Sequence, residues 1–272
     1  MFTRKLSLIA LSLLVAAPTC MSQQITLTVD DVLTQVRAHV AEYQTSIPSF
    51  ISDESVLSQR FGGEKLKDEM KIESSFEMVR IGSGGDLRET RIKNLVNGRA
   101  PKSQKFAPPF AFNGGFADVI AFTINKCADY RFAEAPSIGN PIVILVSRKQ
   151  SSSDRPVQCN SQSYDRKAFI DPKTFQVFRI EETVQDVGTG IVGHLPFVPS
   201  ISSHNVISFS VDYMPVELGG KTFWLTKAVT ADWKDKNKPI RLHYEAHYSN
   251  YHRFASTAKI LSTEIGEPPA KE

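Results

Sequence analysis

The sequence predicts a mainly β fold of the α+β kind, in which a curled antiparallel sheet wraps over two or three helices. Two stretches carry apolar residues at helical spacing, and most of the remaining chain alternates apolar and polar residues in long runs. Short turns join these runs, so neighbouring strands are expected to pair in an antiparallel meander. A long sheet of this kind curls rather than staying flat, and its apolar face can then cover the helices.

The first 22 residues have the features of a signal peptide. Arg4 and Lys5 precede an apolar run from Leu6 to Pro18, which is shorter than the ~20 residues that span a bilayer. Cleavage after Ser22 would release the mature chain. The alternative is lipid attachment at Cys20, which would anchor the protein to a membrane. The sequence therefore predicts an exported protein, periplasmic or secreted, with no transmembrane span in the mature chain.

The charge balance argues against a nucleic-acid partner. Without Arg4 and Lys5 the chain has a formal net charge of +1, and its densest basic stretch, KDKNK at 234–238, is typical of a solvated turn. Nucleic-acid binding requires a clustered basic face. Residues 23–263 are interpreted as one domain and the polar stretch 264–272 as a disordered tail.

Two cysteines remain after export, Cys127 and Cys159. An oxidising compartment and an even count favour a disulfide between them. The alternative is that Cys127 is buried and unpaired on the apolar face of a helix. Neither cysteine has the sequence neighbours of a nucleophile or of a zinc site.

Two helices are predicted. The first begins at Thr28, whose side chain can cap it while Asp30 and Asp31 favour the positive end of the helix dipole, and it ends before Pro48. The second follows Asn113. The stripes predicted to face the core are Val29, Val32, Leu33, Val36, Val40 and Tyr43 in the first helix, and Phe116, Val119, Ile120, Ile124 and Cys127 in the second.

Alternating stretches predict most of the strands. They lie at 71–81, 167–171, 175–184, 207–213 and 241–248. The GSGG sequence at 82–85 and the pair Gly219-Gly220 each predict a hairpin, because glycine adopts positive φ readily. The run PIVILV at 141–146 is apolar on both faces and therefore predicts a buried central strand.

The stretch HYEAHYSNYHRF at 243–254 raises the question of a metal site. On a strand, Tyr244 and Tyr248 face the core and His243 and His247 face outwards. The two histidines are then about 13 Å apart, whereas metal–nitrogen bonds are ~2.1 Å long. No metal or cofactor is predicted here. The chain also lacks the nucleophile-elbow, zinc-protease and phosphate-loop motifs, so no enzymatic activity is predicted.

Four stretches carry a family resemblance: the leader, the opening helix TVDDVLTQVRAHVAEYQ, AFIDPKTFQVFRIEE at 168–182, and VELGGKTFWLTKAVTADW followed by HYSNYHRF. They resemble the bacterial lipoprotein-localisation family, the outer-membrane lipoprotein-sorting and carrier-like proteins. The resemblance spans residues 28–263. It implies an incomplete β-barrel closed over by helices, with an apolar cavity between them. No stretch is identified as the lipid-contact arginine of the sorting chaperones.

Two functions are compatible with these patterns. The first is non-catalytic binding of a lipid, an acyl chain or a lipoprotein in an apolar half-barrel cavity, although the same side chains can simply fill a core. The alternative is an envelope scaffold or protein-interaction module with a packed core, which contacts an envelope protein through exposed loops such as 99–113. That loop can equally cover the open end of the sheet. The predicted cavity lining is Phe209, Val211, Tyr213, Phe223, Leu225, Tyr244 and Tyr248.

Overall fold

In the computed structural model, the described part of the chain forms one ten-stranded antiparallel sheet and two helices. The described residues are 27–81, 86–104, 107–112, 115–116, 118–124, 128–137, 139–148, 163–185 and 205–254. Cys20, Cys127 and Cys159 lie outside these ranges. The signal peptide, the disulfide and the disordered tail therefore remain predictions.

The elements follow one another in a simple order. Helix α1 (Val29–Ser46) leads into β1 (Phe50–Gly62), β2 (Lys65–Ile81) and β3 (Asp86–Val96), and the short helix α2 (Asp118–Ile124) follows. The remaining strands are β4 (Ala128–Phe132), β5 (Ile142–Arg148), β6 (Ser163–Ile170), β7 (Val177–Gln185), β8 (Asn205–Leu218), β9 (Lys221–Asp235) and β10 (Ile240–Arg253).

The strand order confirms the predicted fold class, an incomplete β-barrel over helices. The order is β3-β2-β1-β10-β9-β8-β7-β6-β5-β4, and all neighbours are antiparallel. Every pairing except β1 with β10 joins sequence neighbours. The sheet is open between β3 and β4, which are consecutive along the chain. The connection from 97 to 127 therefore runs from one edge of the sheet to the other.

Helix α1 begins and ends on specific side-chain contacts. Its start is the predicted one: the Thr28 hydroxyl accepts from the Asp31 amide at 3.2 Å, and the Thr28 amide donates to the Asp31 carboxylate at 3.0 Å. At its other end the Arg80 guanidinium on β2 donates to the carbonyls of Gln44 and Ile47, which have no partner within the helix. The buried stripe of α1 is Val32, Leu33, Val36, Val40 and Tyr43.

Within the described residues the second helix covers part of the predicted stripe; Cys127 and the side chain of Ile124 lie outside the described part of the chain. The helix covers seven residues, and Phe116 of the predicted stripe precedes it. Val119 and Ile120 are half-buried, whereas Phe122, which was not assigned to the stripe, is fully buried. None of the helices in the described ranges is long and apolar enough to span a membrane.

The prediction for residues 141–146 was wrong in one respect. Strand β5 lies next to the edge strand β4 and is not central. Its alternate residues Ile142, Ile144 and Val146 are buried, while Val143 and Leu145 are half-exposed on the other face. Apolar residues on both faces thus indicate a strand, but they do not locate it within the sheet.

The hairpin of β8 and β9 and the burial pattern of β10 are confirmed. Gly219 and Gly220 have φ of +63° and +80° in the tight turn. On β10, Tyr244 and Tyr248 are buried, His243 is half-exposed and His247 is exposed.

At Lys93 the free edge of β3 is hydrogen-bonded to a side chain from the connection that follows it. The side-chain amide of Gln104 accepts through Oε1 from the Lys93 backbone N–H at 2.8 Å and donates through Nε2 to the Lys93 carbonyl at 2.9 Å. The Lys93 ammonium group donates to the Gln104 carbonyl at 2.6 Å. The connection is therefore attached to the sheet edge from which it departs.

Substitution of Thr28 by alanine tests the start of α1. Thr28→Ala removes the acceptor for the Asp31 amide and should lower the free energy of unfolding by about 1 kcal/mol. Thr34→Ala is the matched control, because Thr34 is exposed in the middle of the same helix and alanine favours helix there. Urea denaturation of the two variants gives the comparison; equal midpoints would contradict the capping role.

Candidate ligand-binding interior

The predicted lining residues all lie on β8, β9 and β10. Six of them are buried and Phe209 is half-buried. Phe223 and Tyr213 border a cavity of about 40 Å³ next to α1, and Leu225 is completely buried. That volume is far below the ~300–1,000 Å³ of ordinary ligand pockets. This cavity is therefore too small for an ordinary ligand.

The apolar face of the sheet is covered by the plug segment, which we define as the described residues 107–112, 115–116 and 118–124. It lies within the connection between the two edge strands, and its described residues before Asp118 belong to no helix or strand. Its phenylalanines Phe110, Phe112, Phe116 and Phe122 are all buried. The suggestion that Phe110 and Phe112 form an exposed protein-contact loop was therefore wrong, and Phe106 lies outside the described residues. The alternative, a hydrophobic cover of the open sheet, describes Phe110 and Phe112 correctly.

The phenylalanine rings pack directly on the predicted lining. Phe112 lies 4.9 Å from Phe209, centroid to centroid, and Phe110 lies 6.3 Å from Tyr244. Phe116 makes a second group of contacts: its ring stacks on Phe76 at 4.9 Å and meets Tyr248 edge-on at 5.7 Å. The plug segment thus occupies the face on which the sequence predicted a ligand.

Side chains of the sheet and of α1 hold the plug segment by its backbone. The Ser58 hydroxyl donates to the Phe110 carbonyl at 2.7 Å and accepts from the Phe110 amide at 2.9 Å. The Tyr213 hydroxyl donates to the Gly115 carbonyl at 2.8 Å; burial raises the pKa of Tyr213 well above its usual value, so the donor keeps its proton. Further donors are Tyr130 to the Phe122 carbonyl and Arg37 to the Thr123 carbonyl.

At Gly115 the backbone of the plug segment lies close to the sheet. Gly115 has a φ of +71°, and a Cβ atom there would lie 2.6 Å from Cγ1 of Val211 and 3.3 Å from Cγ2 of Val229. Real Cβ atoms essentially never lie within 3.0 Å of such an atom, so the contact with Val211 leaves no room for a side chain. Val211, a predicted lining residue, therefore packs against the backbone of the plug segment.

Gly115→Ala should expel or strain the plug segment. The control is Gly98→Ala, because Gly98 has a similar φ of +73° but nothing within 4 Å of its Cβ position. Both variants carry the cost of positive φ, and only Gly115→Ala adds the collision with Val211. We expect the free energy of unfolding to fall by roughly 1–3 kcal/mol more for Gly115→Ala than for Gly98→Ala. Equal urea midpoints would refute the close contact.

Glu54 and Glu182 each form a buried ion pair inside the half-barrel. Glu54 on β1, fully buried, pairs with Arg91 on β3 at 2.7 Å, and Glu54 also accepts from the Tyr248 hydroxyl at 2.8 Å. Arg166 on β6 pairs with Glu182 on β7, with Nε donating at 2.6 Å. Both pairs were missed in the sequence, since their partners are 37 and 16 residues apart and no short motif joins them.

Asp118, at the start of α2, lies close enough to Arg166, Glu182 and Glu89 for their charges to act on its carboxyl group. Burial raises its pKa to about 7; the positive charge of Arg166 opposes the shift, and the carboxylates of Glu182 and Glu89 reinforce it. The plug segment thus places a carboxyl group where its ionised form is disfavoured.

The shift of Asp118 predicts a pH dependence of stability. Because its pKa is higher in the folded chain than the usual 3.8, the folded chain binds more protons than the unfolded chain between these values. The free energy of unfolding should fall as pH rises through this window and then level off. Asp118→Asn should remove this part of the decline, measured by urea denaturation at about pH 5 and about pH 8. Asp129→Asn, at an exposed position on β4, is the control, and the same pH response in both variants would contradict the assignment.

A polar cleft of about 600 Å³ lies over β4 to β9. Most of its lining comes from the face of the sheet that alternates with the buried residues, including Asp165, Lys167, Glu181 and Asp232. Thr183 and Ser208 lie 3.1 Å apart across β7 and β8. The mixed charges and hydroxyl groups do not provide an apolar surface, so this cleft is a poor match for an acyl chain.

The outward histidines of β10 each contact one carboxylate. His243 Nδ1 lies 3.1 Å from Asp232, and His247 Nε2 lies 2.8 Å from Glu245. In the described ranges no three histidine, cysteine, aspartate or glutamate side chains are grouped so that they could hold a metal ion. The Pro-rich stretch at 193–204, with His194 and His204, lies outside those ranges.

Fold and interior together define an open antiparallel half-barrel whose apolar face is covered by its own helices and loop. Among solved structures, the chain is similar to a LolA superfamily protein from Nitrosomonas europaea, with TM-score 0.34 and 11% identity over 86% of this chain and 97% of that chain. It is also similar to a DUF1329 family protein from Desulfovibrio piger, with TM-score 0.39 and 10% identity over 83% and 94%. No family model and no curated protein sequence matches the chain.

Proposed function

We propose that this protein is an exported, non-catalytic envelope protein that binds a lipid acyl chain, or the acylated part of a lipoprotein, between its sheet and its helices. The ligand would occupy the space that the plug segment fills in this structure. The observation that carries the proposal is that Phe110, Phe112 and Phe116 come from an irregular segment rather than from a strand or a long helix. Side chains held in this way can leave without breaking the sheet.

The buried apolar area favours replacement of the plug segment by a ligand over its displacement into water alone. Four phenylalanine side chains bury ~150–250 Å² each, so displacing them into water exposes several hundred Å² of apolar surface at a large cost in free energy. An acyl chain that takes over the contacts with Phe209, Tyr244 and Tyr248 offsets that cost. The plug segment then behaves as an internal competitor of the ligand, and binding requires its displacement.

The resemblance of the sequence to lipoprotein-sorting proteins supports the same ligand class. The leader, if cleaved after Ser22, would deliver the chain to a compartment that contains such lipids. The known contact arginine of those proteins has no counterpart that the sequence identifies, and Arg91 is engaged with Glu54. A lipoprotein cargo is therefore a narrower proposal than an acyl chain.

A second candidate function is an envelope scaffold with a packed core. The observation that favours it is the cavity of only about 40 Å³. Native mass spectrometry of the protein, purified from the envelope without detergent and followed by organic extraction, separates the two. A co-purified lipid in stoichiometric amount supports the binding function. A bare polypeptide mass that persists after incubation with envelope lipids would overturn it and favour the scaffold.

Loosening the plug segment should increase binding of an apolar probe. Ser58→Ala leaves the amide and the carbonyl of Phe110 without their partner, at a cost of roughly 1–3 kcal/mol per buried group in the plugged state. The displaced state becomes more populated, so the apparent affinity for a naphthylamine fluorophore should rise about tenfold or more.

The matched control is Ser208→Ala on the outer face of the same sheet, where the hydroxyl contacts Thr183. Its probe affinity should equal that of the wild type, as read by fluorescence titration. If Ser58→Ala and Ser208→Ala bind the probe equally, the plug segment does not control access.

A further inference from the structure

The inner face of β1 carries polar residues where an apolar core would be expected. Along this strand the buried positions hold Phe50, Ser52, Glu54, Val56 and Ser58. Ser58 is explained by its two hydrogen bonds to Phe110. Glu54 has no hydrogen bond to the described residues of the plug segment, but its partner Tyr248 contacts Phe116. Local departures from the expected pattern are concentrated at functional positions.

All the described hydrogen bonds of the Glu54 carboxylate are made by one of its two oxygens. Oε1 accepts from Arg91 Nε at 2.7 Å and from the Tyr248 hydroxyl at 2.8 Å. Oε2 is buried and has no hydrogen-bond partner in the described part of the chain. The side chain is 0% exposed. A carboxylate has about four acceptor positions, so half of this group is unused in a region that water does not reach.

Stability alone does not account for this arrangement. A buried polar atom without a partner costs free energy, and a buried ion pair is often no more stable than apolar side chains of the same volume. Arg91 is itself fixed, since its guanidinium lies 3.8 Å from Glu89 and 5.0 Å from the centre of the Phe76 ring. The pair therefore holds Oε2 in one place, as a preorganised acceptor.

The plug segment covers the two aromatic rings next to this ion pair. Phe116 stacks on Phe76 and meets the ring of Tyr248, and these two rings contact Arg91 and Glu54 respectively. When Phe116 leaves, the space that it vacates borders the Glu54 pair. A ligand in that space has its apolar part against the rings and one polar group within reach of Oε2.

We infer that Glu54 binds a neutral hydrogen-bond donor in the polar head of the ligand, the O–H of a long-chain alcohol or the N–H of an acyl amide. An acceptor-only ester has no hydrogen to offer to Oε2. A free fatty acid at neutral pH carries a negative charge of the same sign as Glu54, and the nearest cation, Arg91, is already paired. This inference rests on the proposed function, because the ligand enters only if the plug segment is displaced.

The test is a competition series of matched chain length. The naphthylamine fluorophore is bound to the wild-type protein and displaced by dodecanol, dodecanamide, methyl dodecanoate or dodecanoate. We expect the alcohol and the amide to compete roughly 10- to 100-fold better than the ester and the carboxylate, as for one hydrogen bond to a charged acceptor.

Two variants assign the preference to Glu54. The double substitution Glu54→Leu/Arg91→Met removes the pair without leaving a buried charge, and should abolish the difference between alcohol and ester while the ester binds as before. Glu54→Gln removes the negative charge but keeps the size, and should reduce the preference for the alcohol. Circular dichroism and urea midpoints establish that each variant is folded.

The outcomes separate this inference from the function on which it rests. If the fluorophore enters the wild type and the ester competes as well as the alcohol, the role of Glu54 is refuted and acyl-chain binding stands. If the double variant keeps the wild-type preference, the donor is recognised elsewhere and the inference also fails. If neither fluorophore nor dodecanol binds to a folded wild type, both proposals fail together.

Discussion

The pairing of β1 with β10 is the constraint on which the rest of this structure depends. It joins the two ends of the meander over most of the length of β1, and brings together residues as distant as Glu54 and Tyr248, 194 positions apart. Closing so long a loop costs chain entropy, and the cost is offset by an extended ladder of backbone hydrogen bonds. Because this pairing unites the ends, the opening of the sheet must lie between two consecutive strands. It lies at β3 and β4, and the connection between them carries the plug segment.

Much of the fold could be predicted from local patterns, and the exceptions have physical causes. The cap of α1, the Gly219-Gly220 hairpin and the facing of Tyr244 and Tyr248 follow from spacing and turn chemistry alone. Strand β1 was not assigned individually, because Ser52, Glu54 and Ser58 occupy its buried face and disguise the alternation. The register of β1 on β10 has no local signal, and neither has the position of β5 beside the edge strand.

Only one side of the candidate site, the lining on the sheet, could be predicted from the sequence. The lining residues on β8 to β10 were found because they alternate with polar neighbours, and five of them, Phe209, Val211, Tyr213, Tyr244 and Tyr248, contact the plug segment in the structure. What covers them was left open, since phenylalanines among prolines fit an exposed loop as well as an inserted one. The charges at Arg91, Arg166 and Asp118 had no signal in the sequence, because the folding of the sheet brings each of them close to charged residues that are distant along the chain.

The amide of Gln104 has a consequence for how copies of this protein meet one another. An open sheet presents unpaired N–H and C=O groups along its edges, and such an edge can template a strand from another molecule. At Lys93 both groups are already bonded to Gln104, whose side chain imitates a peptide unit of an eleventh strand. The sheet is open here, and the connection that carries the plug segment departs from this edge. The side chain of Gln104 thus keeps this point of the open edge from pairing with a strand of another copy.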